Sequence, residues 1–232
     1  MSVLEAAKTL RDRCDALDHL APYVYNPLRY AWGAHAKYAE TFGKGKRRAL
    51  LVGMNPGPWG MGQTGVPFGD VVYVRDWMGI SGEHAQPARA HPKRPVTGFA
   101  CARREPSGSR LYGWAQGRYG AAPAFFERFF IVNYCPLLFF DEAGKNLTPP
   151  QLGAKAVEAL ETACDAHLDA VVRALAPEIV VGVGRFAEER ARRVVGDRAR
   201  IGRVLHPSPA SPVANKGWAR QAEEQLGGLG AL

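Results

Sequence analysis

Cysteine is scarce in this sequence. Cys14, Cys101, Cys135 and Cys164 are the only four, and none stands close enough to another to form the CxxC knuckles of zinc sites or of many iron–sulfur clusters. Long apolar runs are missing too. No stretch reaches the ~18 residues that a membrane-spanning helix needs. The opening residues 1–10 break their short apolar stretch with Glu5 and Lys8, so no signal-peptide core is read there. A cytoplasmic protein with reduced thiols is expected, nucleoid-associated if the source is bacterial. Acidic residues are outnumbered, 22 against 30 Lys and Arg, for a formal net charge of +8. Such a balance favours an anionic partner, whether nucleic acid, a phosphorylated ligand or an acidic membrane surface, and a well-solvated basic surface would explain it equally. Internal repeats and low-complexity tracts are absent.

What is present fits one domain. At 232 residues, 47% hydrophobic and 22% charged, residues 1–232 can bury most of the surface that the unfolded chain exposes. Four apolar segments bounded by breakers read as strands: 48–53 (RALLVG), 129–133 (FFIVN), 178–183 (EIVVGV) and 200–205 (RIGRVL). They are continuous rather than alternating, the pattern of a parallel sheet covered on both faces. Helical periodicity separates them. It is clearest over 149–175, where Leu152, Ala156, Leu160, Cys164, Leu168 and Val172 recur at four-residue spacing behind Thr148, Pro149 and Gln151, a capping box with proline at the first helical position. Shorter helices are predicted over 3–20, 27–41, 185–195 and 213–226, giving an α/β fold of βαβ units. Residues 81–110 hold Pro87, Pro92, Pro95 and Pro106 among His91, Lys93, Arg94, Arg103 and Arg104, and read as a long basic loop suited to phosphate contacts.

Ligands of open parallel sheets bind beyond the carboxyl ends of the strands, so the residues that follow each strand are the candidates for chemistry. Met54-Asn55-Pro56-Gly57-Pro58-Trp59-Gly60-Met61 follows the first, Asn133-Tyr134-Cys135-Pro136 ends the second, and His206-Pro207-Ser208-Pro209 follows the fourth. Two amides and one imidazole are expected to converge there, with no carboxylate. This excludes the carboxylate pair of ordinary glycoside hydrolysis and offers no Ser or Cys nucleophile with a base. The set can orient a water, read the edge of a heterocycle and steady an anionic leaving group, which suits N-glycosidic cleavage.

Each residue has a plainer reading as well. Asn55 and Asn133 could cap turns or helix starts, His206 could bond a carbonyl, Phe68 could be core, and the glycines from 53 to 69 could make a turn-rich loop. Gly182-Val183-Gly184-Arg185-Phe186-Ala187 matches a dinucleotide fingerprint. The acidic ribose partner expected about 20 residues on is absent from Gly202-Arg203-Val204-Leu205-His206, so the match reads as a close helix–strand turn.

Taken together, the segments resemble a known family. Residues 53–69 (GMNPGPWGMGQTGVPFG) closely resemble the first active-site motif of the single-strand-selective monofunctional uracil-DNA glycosylases, and His206-Pro207-Ser208-Pro209 through Ala214-Asn215-Lys216-Gly217-Trp218 resembles the second. Residues 91–96 (HPKRPV), Asn133 with Cys135-Pro136-Leu137-Leu138, Asn146-Leu147-Thr148-Pro149 and 180–185 (VVGVGR) are similar to the family in the same order, over about residues 25–229. The resemblance implies a three-layer αβα sandwich around a four-stranded parallel sheet. It also implies action on uracil and on 5-substituted uracils such as 5-hydroxymethyluracil, in single- and double-stranded DNA. By motif position, Asn55 would place the attacking water, His206 would bond the departing base at O2, Asn133 would read O4 and N3, and Phe68 would stack on the ring. Met54, Gly57 and Met61 would line the pocket, Gly57 leaving room for a water that lets C5 substituents be tolerated. Lys93 and Arg94, with Ser208, Pro209, Ala210, Ser211, Asn215 and Lys216, would meet DNA. In the family an arginine commonly follows His-Pro-Ser-Pro and enters the base stack; here that position is Ala210, then Ser211.

The expected protein is a monomeric, monofunctional DNA glycosylase, with DNA as partner and no membrane association. No lysine is evidently placed as a Schiff-base nucleophile. Two alternatives stand beside it: a damage-binding module with weak turnover, in which a water-positioning Asn55 would be superfluous, and a glycosylase preferring deaminated purines such as hypoxanthine or xanthine. Neither cofactor nor metal is expected. Activity should therefore survive EDTA, and elemental analysis finding about one zinc or an iron cluster per chain would overturn that expectation.

Overall fold

The computed structural model describes all 232 residues. Helix α1 (Val3–Cys14) starts with a capping box: the Ser2 hydroxyl accepts from the Glu5 amide, and the Glu5 carboxylate accepts from the Ser2 amide at 2.6 Å. Strand β1 (Tyr23–Tyr25), helices α2 (Pro27–Tyr30) and α3 (Trp32–Phe42), strand β2 (Ala49–Gly53) and helix α4 (Met61–Thr64) follow. After a long irregular stretch come α5 (Pro106–Tyr119), α6 (Ala122–Arg128), β3 (Phe129–Asn133), β4 (Leu138–Phe140) and β5 (Asn146–Leu147). The chain ends with α7 (Ala154–Leu175), β6 (Ile179–Val183), α8 (Arg185–Val195), β7 (Arg200–Val204) and α9 (Trp218–Gly228).

Strands β3, β2, β6 and β7 lie side by side in that order, all parallel. Helices flank the sheet on both faces, the α/β sandwich that the resemblance implies. β2, β3 and β6 are buried along their whole length, which is why their sequences are unbroken apolar runs. Successive side chains leave a strand on opposite faces. Accordingly Phe129 stacks on Phe125 of α6 and Phe130 on Tyr38 of α3, each at 5.0 Å between ring centroids. β7 differs from the expectation of a covered strand: Arg200 and Arg203 are exposed and Gly202 and Val204 buried, the alternation of a sheet edge. No helix is long and apolar enough to cross a membrane.

Several predicted elements are interrupted. The box of Thr148 and Gln151 forms, but on the single 3-10 turn Pro149–Gln151, after which the chain extends through Leu152 and Gly153 and restarts as α7. The predicted helix over 27–41 breaks at Ala31, and that over 213–226 breaks at Gly217, whose φ of 102° a helix cannot hold. Helix α5 begins inside the expected basic loop, with Pro106 at its first position and the Glu105 side chain accepting from the Ser107 amide. An antiparallel sheet of order β1-β4-β5 has no counterpart in the sequence reading, because strands of two or three residues carry no usable periodicity.

One carboxylate anchors the stretch between α4 and α5. The Asp70 side chain is fully buried. It accepts from Arg104 Nε and the Glu105 amide, each at 2.8 Å, from the Ser109 hydroxyl at 3.0 Å and from the Val72 amide at 3.2 Å. Burial pushes its pKa up, but the donors, led by the Arg104 guanidinium, outweigh it and hold the carboxyl below its ordinary value. A pKa lower in the folded than in the unfolded chain stabilises the fold above about pH 4, and that contribution is lost as pH falls through the folded value. Asp70→Asn should therefore cost roughly 2–3 kcal/mol at neutral pH, with the difference narrowing below about pH 4. Urea unfolding of both proteins across pH checks this; a gap that does not change with pH would show that the charge is not what stabilises.

Candidate active site

The site is built on the paired ends of two strands. Gly53 and Asn133 are register partners, and the pairing runs past the strands: the Tyr134 amide donates to Gly53 O and the Cys135 amide to Met54 O, each at 2.9 Å. Gly53 cannot carry a side chain, because a Cβ there would strike Asn133 Oδ1 and lie 2.7 Å from Phe68 Cε2. The Asn133 amide and the Phe68 ring thus meet over bare backbone. Asn133 is buried, with Nδ2 3.3 Å from Met61 Sδ. Phe68 is held at φ 56°, a left-handed backbone that a bulky residue adopts only when its surroundings impose it. They do: its carbonyl accepts from the Asp70 amide at 2.8 Å, the Tyr112 hydroxyl donates to Pro67 O at 2.6 Å, and the Thr64 hydroxyl donates to Gly69 O at 2.9 Å. Helix α5 packs so closely that a Cβ on Gly108 would overlap the Phe68 carbonyl.

Asn55 and His206 complete the cavity. Asn55 Nδ2 donates a long 3.4 Å hydrogen bond to Leu137 O, which sets the amide's orientation and leaves Oδ1 as a free acceptor. His206 lies just past β7, where the neighbouring Leu205 carbonyl is tied to Trp218 Nε1 at 2.6 Å. Its Nδ1 accepts from the Ser208 amide at 3.1 Å, so the proton of the neutral ring resides on Nε2. Burial lowers the pKa of this imidazole to about 4, which keeps it uncharged at neutral pH. The ring lies 6.0 Å from that of Phe68. Met54, Asn55, Gly57, Met61, Phe68, Asn133, His206 and Ser208 all line one cavity of about 230 Å³.

The expectation of a site without carboxylates does not hold. Glu105 also lines this cavity, with Ser107, Asn146 and Thr148. Its Oε1 accepts from the Ser107 amide at 3.4 Å, while Oε2 packs on Gly57 and has no hydrogen-bond donor. A Cβ at Gly57 would strike Oε2, so this glycine makes room for a protein carboxyl. Burial raises the Glu105 pKa. The residue escaped the sequence reading because it follows no strand; its only signal is that it precedes Pro106-Ser107, as a helix cap would. One carboxyl still does not make a pair. Asn146 Oδ1 is buried with no partner. Three cysteines far apart in sequence, Cys14, Cys135 and Cys164, come together in the core, where burial raises the pKa of the Cys14 and Cys164 thiols and keeps both protonated.

The candidates for DNA contact divide into two groups. Lys93 is exposed, whereas Arg94 is engaged by the fold: Nε donates to Gly144 O at 2.7 Å and the guanidinium lies 5.7 Å from the centroids of Trp59 and Phe140. Residues 208–216 form a braced, mostly exposed tongue that meets the cavity at Ser208 and is pinned to the core by Ala214. Ser208 Oγ accepts from the Ala210 amide at 3.2 Å, Ser211 Oγ from the Ala214 amide at 3.3 Å, and Asn215 ties Pro209 O at 2.9 Å to Arg110 at 2.8 Å. Pro209, Ala210 and Lys216 are exposed, and so is Val213, at 54%, one of two large apolar side chains left open on the whole molecule. Gly182 of the dinucleotide-like motif packs against the Glu188 backbone, where any Cβ would clash, so that turn serves helix–strand packing.

A sequence model of the uracil DNA glycosylase superfamily matches residues 40–226. The single-strand selective monofunctional uracil-DNA glycosylase of Rattus norvegicus is 49% identical over 90% of this chain and 76% of its own length. The protein of the same description from Bos taurus is 47% identical over 92% of this chain and 79% of its own. Among solved structures, that of Pedobacter heparinus SMUG2 shares the fold, with a TM-score of 0.66 over 97% of each chain at 20% identity. On this similarity and on the site just described, the chain belongs to the single-strand selective monofunctional uracil-DNA glycosylases of the uracil DNA glycosylase superfamily.

Proposed function

We propose that the chain hydrolyses the N-glycosidic bond of uracil and of 5-substituted uracils in single- and double-stranded DNA, acting as a monomer without a lyase step and leaving an abasic site for base excision repair. The carrying observation is the neutral His206 with its proton on Nε2, facing a cavity shared with Asn133, Asn55 and Phe68. A base turned out of the stack stacks on Phe68 and presents its Watson–Crick edge to Asn133. That amide donates to O4 and accepts from N3–H, whereas cytosine offers the opposite pattern and leaves buried groups unpaired. Asn55 Oδ1 accepts from a water and aims its lone pair at C1′. The C1′–N1 bond breaks with its electron pair passing to the base, whose negative charge at O2 meets the His206 Nε2–H donor. Water adds to C1′, and the proton it loses is balanced by protonation of the departed base anion, so that neutral base and an abasic sugar result. Supporting duplex engagement is the rim tongue, with Val213 as its open apolar side chain.

Asn55→Ala and His206→Ala should each reduce single-turnover excision of uracil by on the order of 10² or more, with fold and DNA affinity largely kept, since both groups act on the transition state. The wild-type rate should pass through the ordinary imidazole range near pH 6.5 without inflection and fall only toward pH 4, where protonation would turn Nδ1 into a donor against the Ser208 amide. An inflection near pH 6.5 would show that His206 is not held neutral by burial, and full activity in either variant would remove that residue from the mechanism.

A flipped base leaves a gap in the duplex that costs a few kcal/mol of stacking and pairing, and Ala210 has little surface to fill it. Ala210→Arg should raise single-turnover rate more on duplex than on single-stranded uracil substrate at one stated salt concentration, because only the duplex has an opposite strand to hold apart. Val213→Ser should lose rate with the same duplex bias. Equal effects on both substrates would place the wedge elsewhere on the tongue.

A further inference from the structure

Asn55 does not place a water by itself. The terminal torsion of an asparagine is broad, so Oδ1 keeps one direction only while a partner holds the Nδ2 end. That end donates to Leu137 O at 3.4 Å, a long bond whose direction depends on where the Leu137 carbonyl stands. Residues 134–137 belong to no helix or strand, and Pro136 has no N–H with which to tie the chain down. One side chain closes the turn instead. The Leu137 amide donates to Cys135 Sγ at 3.4 Å, and the Cys135 thiol donates back to Leu137 O across 3.8 Å. The sulfur thus grips Leu137 at its amide and at its carbonyl, and that carbonyl is the one that orients Asn55. Cys135 also meets Asn55 through its backbone: its amide donates to Met54 O at 2.9 Å, which fixes the plane of the Met54–Asn55 peptide. A thiol is a weak donor and a weak acceptor. Here Cys135 and Leu137 are both completely buried, so no water competes for either bond.

We propose that Cys135 is a positioning residue for the hydrolysis, its thiol holding the Leu137 carbonyl that aims the Asn55 amide and, through it, the attacking water. The inference rests on the glycosylase reading and on the role of Asn55 within it. It gives a task to a buried thiol that does not line the cavity and touches none of the reacting atoms. No bond to sulfur forms or breaks, and the thiol is neither oxidised nor a nucleophile. The effect is confined to one arm of the site. His206 takes its orientation from the Ser208 amide past a different strand, so the thiol bears on the water and not on the group that meets the leaving base.

Two double-mutant cycles test this. Cys135→Ala keeps the backbone bond to Met54 and removes only the sulfur. In single-turnover excision from a single-stranded uracil oligonucleotide its rate constant should fall on the order of tenfold, with the DNA dissociation constant unchanged. Cys135→Ser, which keeps a donor and an acceptor, should lie between. Rate constants taken at saturating enzyme do not depend on the fraction of folded material. Added to Asn55→Ala, the Cys135→Ala substitution should cost little further rate, because the group it positions is already gone; added to His206→Ala, it should cost its full factor. A general loosening of the fold would lower the rate by the same factor in both backgrounds. That result would overturn the proposal, as would a wild-type rate in Cys135→Ala. Full activity in Asn55→Ala, or a wild type inactive on uracil, would instead overturn the reading on which this inference rests, and the inference with it.

Discussion

A carboxylate taken out of water costs several kcal/mol unless donors surround it, so Asp70 can occupy the interior only while Arg104, Glu105 and Ser109 all turn toward it. That requirement joins two parts of the chain that have no secondary structure in common. On one side it holds the turn 66–70, and so the left-handed backbone of Phe68. On the other it sets where α5 begins, and so where Glu105 points. Gly108 then lets α5 press directly on the Phe68 carbonyl. The Phe68 ring and the Glu105 carboxyl at the cavity wall are thereby placed by one buried charge, while the sheet independently places Asn55, Asn133 and His206.

The electrostatics of the cavity favour neutral groups. His206 is uncharged because burial disfavours the imidazolium, and its hydrogen bond from Ser208 already fixes which nitrogen carries the proton. A preoriented neutral donor in a desolvated pocket stabilises developing charge without reorganising. Burial raises the Glu105 pKa as well, again by disfavouring the charged form. Two ionisable groups of opposite type are thus both shifted toward their neutral forms.

The sheet and the three residues at its strand ends were legible because their signals are local. Continuous apolar runs mark covered strands, and the position of a ligand past their carboxyl ends follows from fold geometry. Those rules reach Asn55, Asn133 and His206 directly. They do not reach Glu105, which enters the cavity from a helix start, nor Asp70, whose role depends on a partner more than 30 residues on. Long-range polar pairing leaves no periodicity to read. Helix boundaries were lost for a related reason: the break at Gly217 and the pause at Leu152 and Gly153 are single backbone choices within otherwise helical composition. No local signal at Gly57 shows that the Glu105 carboxyl packs against it.

The net charge of +8 overstates what is free to meet phosphates. Within the basic stretch before α5, Arg104 is committed to Asp70 and Arg94 to Gly144 and two aromatic rings. Arg103 lies 4.3 Å over Trp59, but a guanidinium held by its face still offers its N–H edge for hydrogen bonding. Lys93 and Lys216 are exposed without such constraint. Each phosphate neutralised adds to the salt dependence of nucleic-acid binding, so the cations free to turn outward, and not the net charge, set how strongly such binding responds to salt.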